Sequence, residues 1–311
     1  LPDMPQIMAR SEEIHVMIDA VNALPWERVT TRSHDGLTLC GRYYHQRDGA
    51  PLNICFHGYR GTSARDFSGG TQIMRRQGHN LLMVDERAHG VSEGHTITFG
   101  VEERYDCLDW IRYVVERFGP ETRIVLVGIS MGAATVLMAS ALSLPEQVVG
   151  IVADCPYTSP QAIIRKVAGD MGIPPRAAGI LAGVSARIFG HFRLVAVDAA
   201  KAAGHTTVPI LLIHGEDDRF VPCAMSREIH AANPEKISLF TFPGAGHGLS
   251  YLADAARYEA LIRDFSRRIL PEEINASPEW AGVVKQFYSV LQGRHDLRVM
   301  PFPVSSVHPG G

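Results

Sequence analysis

The sequence predicts an α/β fold, in which a mostly parallel sheet of eight strands has helices packed on both faces. Two observations predict it. Short apolar runs of strand length alternate with longer amphipathic segments along most of the chain. Those runs are rich in Val, Ile and Leu without polar alternation, which is typical of strands buried on both faces. The eight predicted strands lie near residues 27–33, 37–44, 52–56, 80–84, 123–127, 148–153, 209–213 and 237–242.

The elements follow an order that fits this fold. The first two strands flank Asp35-Gly36, a dipeptide that favours a tight turn, so we expect them to pair as an antiparallel hairpin. The later strands alternate with predicted helices, notably residues 101–118 and 251–270. Because such alternation builds parallel crossovers, loops that carry function are expected beyond the carboxyl ends of the strands.

Two segments exceed what a bare fold of this kind needs. Residues 157–205 contain helix-forming, apolar stretches that are interrupted by Pro174-Pro175. They predict two or three short helices that form a small lid over a pocket, although the same helices would also serve as plain scaffold. Residues 271–311 form a C-terminal extension with one predicted helix over 278–291 and no functional interpretation. With no internal repeat, residues 1–311 are predicted to form a single domain.

Composition limits the classes of partner and location. A chain of 311 residues with 46% hydrophobic residues and a net charge of −3 has a large core and no basic surface for nucleic acid. No apolar stretch is long enough to span a membrane, and the five scattered cysteines indicate reduced core residues. We therefore expect a cytoplasmic protein with a small-molecule partner, no nucleic acid and no membrane. Homo-oligomerisation stays open, as does a leader before Leu1.

Ser130 is the candidate nucleophile. It lies within Gly128-Ile129-Ser130-Met131-Gly132, at the junction of an apolar strand and a helix of small residues. The two glycines allow the chain to turn so sharply that the serine is held in a strained conformation at the end of the strand. This arrangement is a nucleophile elbow, and it predicts covalent catalysis by the Ser130 hydroxyl.

A serine hydroxyl needs a base and a group that orients the base. His247 is the candidate base because it follows a strand, in the Gly-rich stretch Gly244-Ala245-Gly246-His247-Gly248. The acidic loop after the preceding strand offers two candidates for the orienting group, Asp217 and Asp218. The chain order Ser, Asp, His matches that of α/β-hydrolases.

Attack on a carbonyl also creates an oxyanion, which two backbone N–H groups are expected to hold. One belongs to Met131, directly after the nucleophile. The other is assigned to Tyr59, in the loop His57-Gly58-Tyr59-Arg60-Gly61 that follows the third strand. We expect the His57 imidazole to hold this loop by hydrogen bonding, since His247 already supplies the base.

These loops together resemble those of the α/β-hydrolase superfamily, in its serine esterase and serine aminopeptidase-like branch. The resemblance covers about residues 30–270. At the acid loop the family pattern is His-Gly, two residues, Asp, two residues, Val-Pro, and this register selects Asp218 over Asp217. The stretch after the fourth strand is also similar to that of many members, and it implies a scaffold pair between Asp85 and Arg87.

The resemblance implies a serine hydrolase, most simply a carboxylesterase that cleaves a small-molecule ester through an acyl-enzyme. It implies no metal and no organic cofactor. Tyr157 and Phe220 are candidate substrate-binding residues. Two alternatives stay open. An aminopeptidase or amidase would use the same residues and an acidic anchor such as Glu93 or Asp154, whereas a non-catalytic relative would use the fold only as a binding scaffold.

Overall fold

One sheet of eight strands forms the centre of the protein, whose computed structural model describes residues 4–270. The strands are β1 Glu27–Arg32, β2 Thr38–Tyr44, β3 Leu52–Phe56, β4 Asn80–Val84, β5 Ile124–Ile129, β6 Val148–Asp154, β7 Ile210–Gly215 and β8 Ile237–Phe242. Their order across the sheet is β1-β2-β4-β3-β5-β6-β7-β8. Strand β2 is antiparallel to both of its neighbours, and all other pairs are parallel. The predicted fold class is confirmed.

The strand bounds follow from burial. Strands β3, β4 and β7 are buried along their whole length, so each had to be apolar on both faces and was visible as a continuous run. Strands β1 and β2 form the predicted hairpin, and Gly36 adopts a φ of +90° in its turn. A residue with a side chain is strained at that angle, so the glycine fixes the position of the turn.

Twelve helices lie within residues 4–270. They are α1 Met4–Ala9, α2 Ser11–Asn22, α3 Ser63–Asp66, α4 Ser68–Arg76, α5 Glu103–Phe118, α6 Met131–Ala139, α7 Pro160–Asp170, α8 Pro175–Ile188, α9 Ala199–Gly204, α10 Cys223–Ala232, α11 Ser250–Ala253 and α12 Ala255–Ile269. Helices α5, α6, α9 and α10 pack on one face of the sheet. Helices α2, α4 and α12 pack on the other. The predicted helix over 251–270 is divided at Asp254, whose side chain caps α12 by accepting a hydrogen bond from the Arg257 amide.

The segment 157–205 contains three short helices, α7, α8 and α9. Two of them begin at capping side chains, because Ser159 accepts a hydrogen bond from the Ala162 amide and Asp198 accepts one from the Lys201 amide. The segment also contributes Ala186, Phe192 and Leu194 to a small apolar cluster with Val101.

Helices α1 and α2 were not among the predicted elements. The signal for α2 was present, since Ile14, Met17, Ile18 and Val21 recur at helical spacing. Val21 is fully buried in a cluster on the α4 face of the sheet. Among residues 4–270, no helix has both the length and the apolar character needed to cross a membrane. The helix predicted over 278–291 falls outside the described residues.

Candidate active site

Ser130 lies at the sharp turn between β5 and α6, as the glycine spacing predicts. Its φ of +55° is in the left-handed region, which a residue with a side chain adopts only under constraint. A Cβ atom at Gly128 would collide with the Gly132 backbone, and one at Gly132 would collide with the Phe56 carbonyl. The two glycines therefore permit the close contact between β5, α6 and β3 that holds the serine in this conformation.

Ser130, His247 and Asp218 form one continuous chain of hydrogen bonds. The Ser130 Oγ lies 2.9 Å from Nε2 of His247, and Nδ1 of His247 lies 2.7 Å from Oδ2 of Asp218. Because a carboxylate only accepts hydrogen bonds, Nδ1 carries the imidazole proton and Nε2 is left to accept from the serine hydroxyl. This is the tautomer that a general base requires.

Asp218 is held as a buried carboxylate. Its Oδ1 accepts hydrogen bonds from the amides of Phe220, at 2.9 Å, and Val221, at 2.7 Å. Burial by itself would raise the pKa of Asp218, but hydrogen bonds from His214 and His247 outweigh it and lower the pKa to about 2. Asp217, the other candidate, is exposed, and its carboxylate accepts no hydrogen bond from the described residues.

His214 supports this carboxylate and was not predicted as a site residue. It is fully buried at the end of β7, with Nε2 3.2 Å from Oδ2 of Asp218 and 2.8 Å from the Val221 carbonyl. The Ser226 hydroxyl donates to Nδ1 over 2.6 Å, which leaves the His214 proton on Nε2. The His-Gly pair in the acid loop was the signal available in the sequence, where it served only to set the register that selects Asp218.

The loop over residues 57–61 lies beside Ser130. A Cβ atom at Gly58 would sit 3.3 Å from Cβ of Ser130. The Gly58 amide donates to Oδ2 of Asp66 over 2.8 Å, and Nε2 of His57 accepts from the Glu86 amide over 3.2 Å. His57 therefore holds the loop by hydrogen bonds, in the way the sequence predicts.

The Tyr59 and Met131 amides were predicted to hold an oxyanion. Neither donates a hydrogen bond to any acceptor within residues 4–270. Met131 is the first residue of α6, where backbone N–H groups lack helical partners and the helix dipole favours negative charge. Both amides thus lack an acceptor among the described residues and are available to a ligand, while their role in holding an oxyanion stays a prediction.

A sequence model described as the alpha/beta hydrolase family matches residues 54–261, about two thirds of the chain. The chain belongs to this family. It is similar to the uncharacterized protein YqkD of Bacillus subtilis strain 168, with 23% identity over 189 residues, which is 60% of this chain and 62% of that protein. A shorter match joins it to the bifunctional esterase/perhydrolase DCH of Acinetobacter calcoaceticus, at 32% identity over 71 residues, or 23% of this chain and 26% of that protein.

Among solved structures, the esterase Pf2001 of Pyrococcus furiosus superposes with a TM-score of 0.64 at 20% identity, over 79% of this chain and 93% of that one. At this level of identity the likeness establishes the shared α/β-hydrolase fold. Activity and substrate have to be argued from the site itself.

The protein has a cavity of about 430 Å³ that includes Ser130 and His247. Tyr59 and Phe220 line it at the same end, and the Phe220 ring packs edge-on against the His247 imidazole with 5.1 Å between ring centroids. Phe220 thus lies where the sequence predicts a substrate-binding residue, although its role stays a prediction.

Tyr157, the other predicted substrate-binding residue, does not line this cavity. It is buried in the main core, and its hydroxyl donates to the Phe99 carbonyl over 2.9 Å. A buried tyrosine needs such a partner, so its hydrogen bond accounts for its position without a ligand. We do not retain a substrate-binding role for Tyr157.

The wall that covers this cavity comes from the N-terminus. Within the described residues, none of 157–205 lines it, whereas Ile7 of α1 and both Ile14 and Met17 of α2 do. The Gln6 side chain also accepts a hydrogen bond from the Gly246 amide, directly before His247, over 2.9 Å. Helices α1 and α2 thus contribute the residues over the cavity that were expected from 157–205. A lid function of 157–205 stays a prediction.

The scaffold pair predicted between Asp85 and Arg87 is wrong. Arg87 instead donates two hydrogen bonds of 2.7 Å to Asp106 of α5 and pairs with Asp35 at 3.0 Å. Asp85 accepts from the Val91 amide over 3.1 Å. Both residues are structural, as predicted, but Arg87 ties its loop to a helix and to the β1–β2 turn.

Within residues 4–270, two groups of side chains come close enough to share a metal ion, and neither fits one. Cys155 lies near Asp218 and His247, but burial raises the pKa of its thiol and so disfavours the thiolate that binds metal. The second group joins His34 to two aspartates. Their carboxylates are already occupied by arginines, since Asp106 accepts from Arg87 and Asp109 accepts from Arg112.

Proposed function

We propose that this protein is a serine hydrolase that cleaves carboxylic esters through an acyl-enzyme formed on Ser130. One observation carries the proposal, namely the chain of hydrogen bonds from Asp218 through His247 to the Ser130 hydroxyl. A buried carboxylate, an imidazole in the required tautomer and a strained serine are each explained by this chemistry. The esterase named among similar structures and the esterase/perhydrolase among similar sequences are consistent with it.

The reaction follows from these positions. His247 Nε2 takes the proton as Ser130 Oγ attacks the ester carbonyl carbon, and the carbonyl oxygen becomes an oxyanion held by the Tyr59 and Met131 amides. The Asp218 carboxylate stabilises the imidazolium that forms. His247 then returns the proton to the alkoxide leaving group, which departs as the alcohol. A water molecule, deprotonated by His247, attacks the acyl-enzyme and releases the carboxylic acid.

A fluorophosphonate tests this proposal because it reacts only with an activated serine. Intact mass is expected to show one adduct per chain, and the adduct should be lost in Ser130→Ala, together with esterase activity by about 10⁴-fold or more. Ser143→Ala, a change at an exposed serine, is the matched control and should label fully. If the parent protein formed no adduct, it would instead be a binding scaffold. If the Ser130→Ala variant kept a tenth of the parent protein's esterase activity, an acyl-enzyme on Ser130 would be excluded.

An amide with a free amino group is the second candidate substrate, and Asp154 favours it. This buried residue lines the cavity that contains Ser130, and its Oδ1 has no hydrogen-bond partner among the described residues. Burial raises its pKa to about 6, so the carboxylate is present at neutral pH and available to an ammonium group. Glu93, the other candidate anchor, is exposed and does not line the cavity. Aminoacyl anilides cleaved faster than matched esters, with the difference lost in Asp154→Asn, would favour the amidase.

A further inference from the structure

The cavity that contains Ser130 does not stop at the reacting atoms. It continues along β5 on the face of the sheet that α4 and α12 cover, and it reaches Val125 and Asn53 at the amino ends of β5 and β3. Ser130 follows Val125 by five residues. At a rise of about 3.3 Å per residue in a parallel strand, the cavity is about 16 Å long.

The walls of this channel are apolar. Val125 and Val127 of β5 and Val152 of β6 form its floor, while Ile73 of α4 and Ile262 of α12 cover it. Gly69 and Gly70 also line it, although glycine is disfavoured within a helix. A Cβ atom at Gly69 would collide with the Tyr251 ring, so the small residue allows α4 and α11 to enclose the channel closely.

The far end of the channel is polar. His79 is 1% exposed, and its Nδ1 lies 3.0 Å from the amide nitrogen of Asn53. An amide nitrogen only donates, so Nδ1 accepts and the imidazole proton is on Nε2. Burial lowers the pKa of His79 to about 4, which keeps the ring neutral at pH 7.

Two donors at this end lack a partner. Neither Nε2 of His79 nor the buried Nε2 of Gln77 makes a hydrogen bond within residues 4–270, and both residues line the channel. Buried donors are nearly always paired because an unpaired one is costly, so two of them in one cavity indicate an acceptor atom on a ligand. Among the described residues, Arg65 is the one lysine or arginine that lines the channel, and it pairs with Asp66 at the other end. The charge of Arg47 helps to lower the pKa of His79, but Arg47 does not line the channel and cannot contact a ligand there. An uncharged oxygen suits them better than a carboxylate.

We propose that this channel binds the acyl group of the substrate, and that the preferred substrate is an ester of a long, linear acid with a hydroxyl or carbonyl oxygen near its far end. The inference rests on the proposed esterase function. A length of 16 Å accommodates about twelve carbons, since a carbon–carbon bond of about 1.5 Å advances an extended chain by about 1.3 Å. The carbonyl of such an ester lies at Ser130 while its terminal oxygen reaches Gln77 and His79.

The test compares p-nitrophenyl esters from acetyl to palmitoyl, together with dodecanoyl and 12-hydroxydodecanoyl esters of equal length. We expect kcat/KM to rise with chain length up to about dodecanoyl, and the hydroxylated ester to exceed the plain one several-fold. Val125→Phe, which fills the far end of the channel, should lower the ratio of dodecanoyl to acetyl kcat/KM by at least about tenfold. Equal ratios in the variant and the parent protein would overturn the proposal.

Gln77→Leu separates the polar end from the apolar walls. It should remove most of the preference for the hydroxylated ester, while Gln72→Leu, in helix α4 directly before Gln77 but outside the channel lining, should leave this preference unchanged. If Val125→Phe fails to fold, the comparison of Gln77→Leu with Gln72→Leu tests the proposed channel instead. An unchanged preference for the hydroxylated ester in Gln77→Leu refutes the polar site.

Binding gives a readout that does not depend on hydrolysis. Methyl 12-hydroxydodecanoate should raise the Tm of the Ser130→Ala protein more than methyl dodecanoate does. A protein that reacts with fluorophosphonate and cleaves acetyl esters, yet shows neither effect, would retain the proposed esterase function and lose the acyl channel. The converse result, binding without labelling, would retain the channel and exclude the esterase.

Discussion

Replacement of Asp218 by asparagine tests the hydrogen-bond chain with the smallest change of shape. The amides of Phe220 and Val221 both donate to one side of this residue, so the oxygen of the new amide has to occupy that side. Its NH₂ group then faces Nδ1 of His247. Because that group can only donate, the imidazole proton moves to Nε2, where it prevents His247 from accepting the Ser130 proton. A wrong tautomer of this kind costs about 10⁴-fold in kcat.

The same substitution affects stability. A folded-state pKa of about 2, against the ordinary 3.8, corresponds to about 2.5 kcal/mol of unfolding free energy at neutral pH. The folded pKa is the lower one, so this contribution is present above about pH 4 and is lost as the pH falls towards 2. Asp218→Asn should therefore lower the Tm at pH 7 and make stability less sensitive to pH between about 4 and 2.

Rates on a p-nitrophenyl ester and thermal melts over this pH range measure both effects. Asp217→Asn is the matched control because its side chain is exposed and unpaired among the described residues, and it should cost less than about tenfold in kcat. If Asp217→Asn abolished activity while Asp218→Asn retained it, the assignment of the acid in this loop would be wrong.

Two further predictions concern the scaffold. Glu86 is buried, and neither of its carboxylate oxygens has a partner among the described residues. Burial raises its pKa well above the ordinary value, so the folded state binds the proton more tightly than the unfolded state does. Stability therefore falls as the pH rises. Glu86→Gln should raise the Tm more at pH 8 than at pH 5 in thermal melts, and an equal gain at both would contradict this. Gly132→Ala should lower both Tm and esterase activity because its methyl group would overlap the Phe56 carbonyl; normal values would show that the elbow relaxes freely.

The parts of the fold that the sequence predicts well are those where one physical requirement acts alone. Strand β7 is buried on both faces, so its apolar run had to be continuous and its bounds were visible. Gly128 and Gly132 are required by backbone contact, and Ser130 follows from their spacing. In each case the sequence signal lies within a few consecutive residues, although Gly132 also makes room for the Phe56 carbonyl of another strand.

The errors arise where the partner is distant in sequence. Arg87 had Asp85 nearby but pairs with Asp106 and Asp35 instead, since helix α5 brings a buried carboxylate to it. His214 was missed for another reason, since its partner Asp218 is only four residues away but nothing in a buried strand end shows that the imidazole turns towards that carboxylate. A cover over the cavity was expected from 157–205 because that segment is long, whereas α1 and α2 line the cavity; a lid function of 157–205 stays a prediction.

The hydrogen bond between Gln6 and Gly246 joins two residues that are 240 positions apart. During synthesis helix α1 leaves the ribosome long before β8 and the loop that follows it exist, and a domain generally folds as a unit. Helix α1 must therefore wait, with Ile7 uncovered, until nearly the whole domain has been made. Within this domain, the helix that is synthesised first is among the last elements to reach its final position, so the cavity that contains Ser130 is covered only when translation of the domain is almost complete.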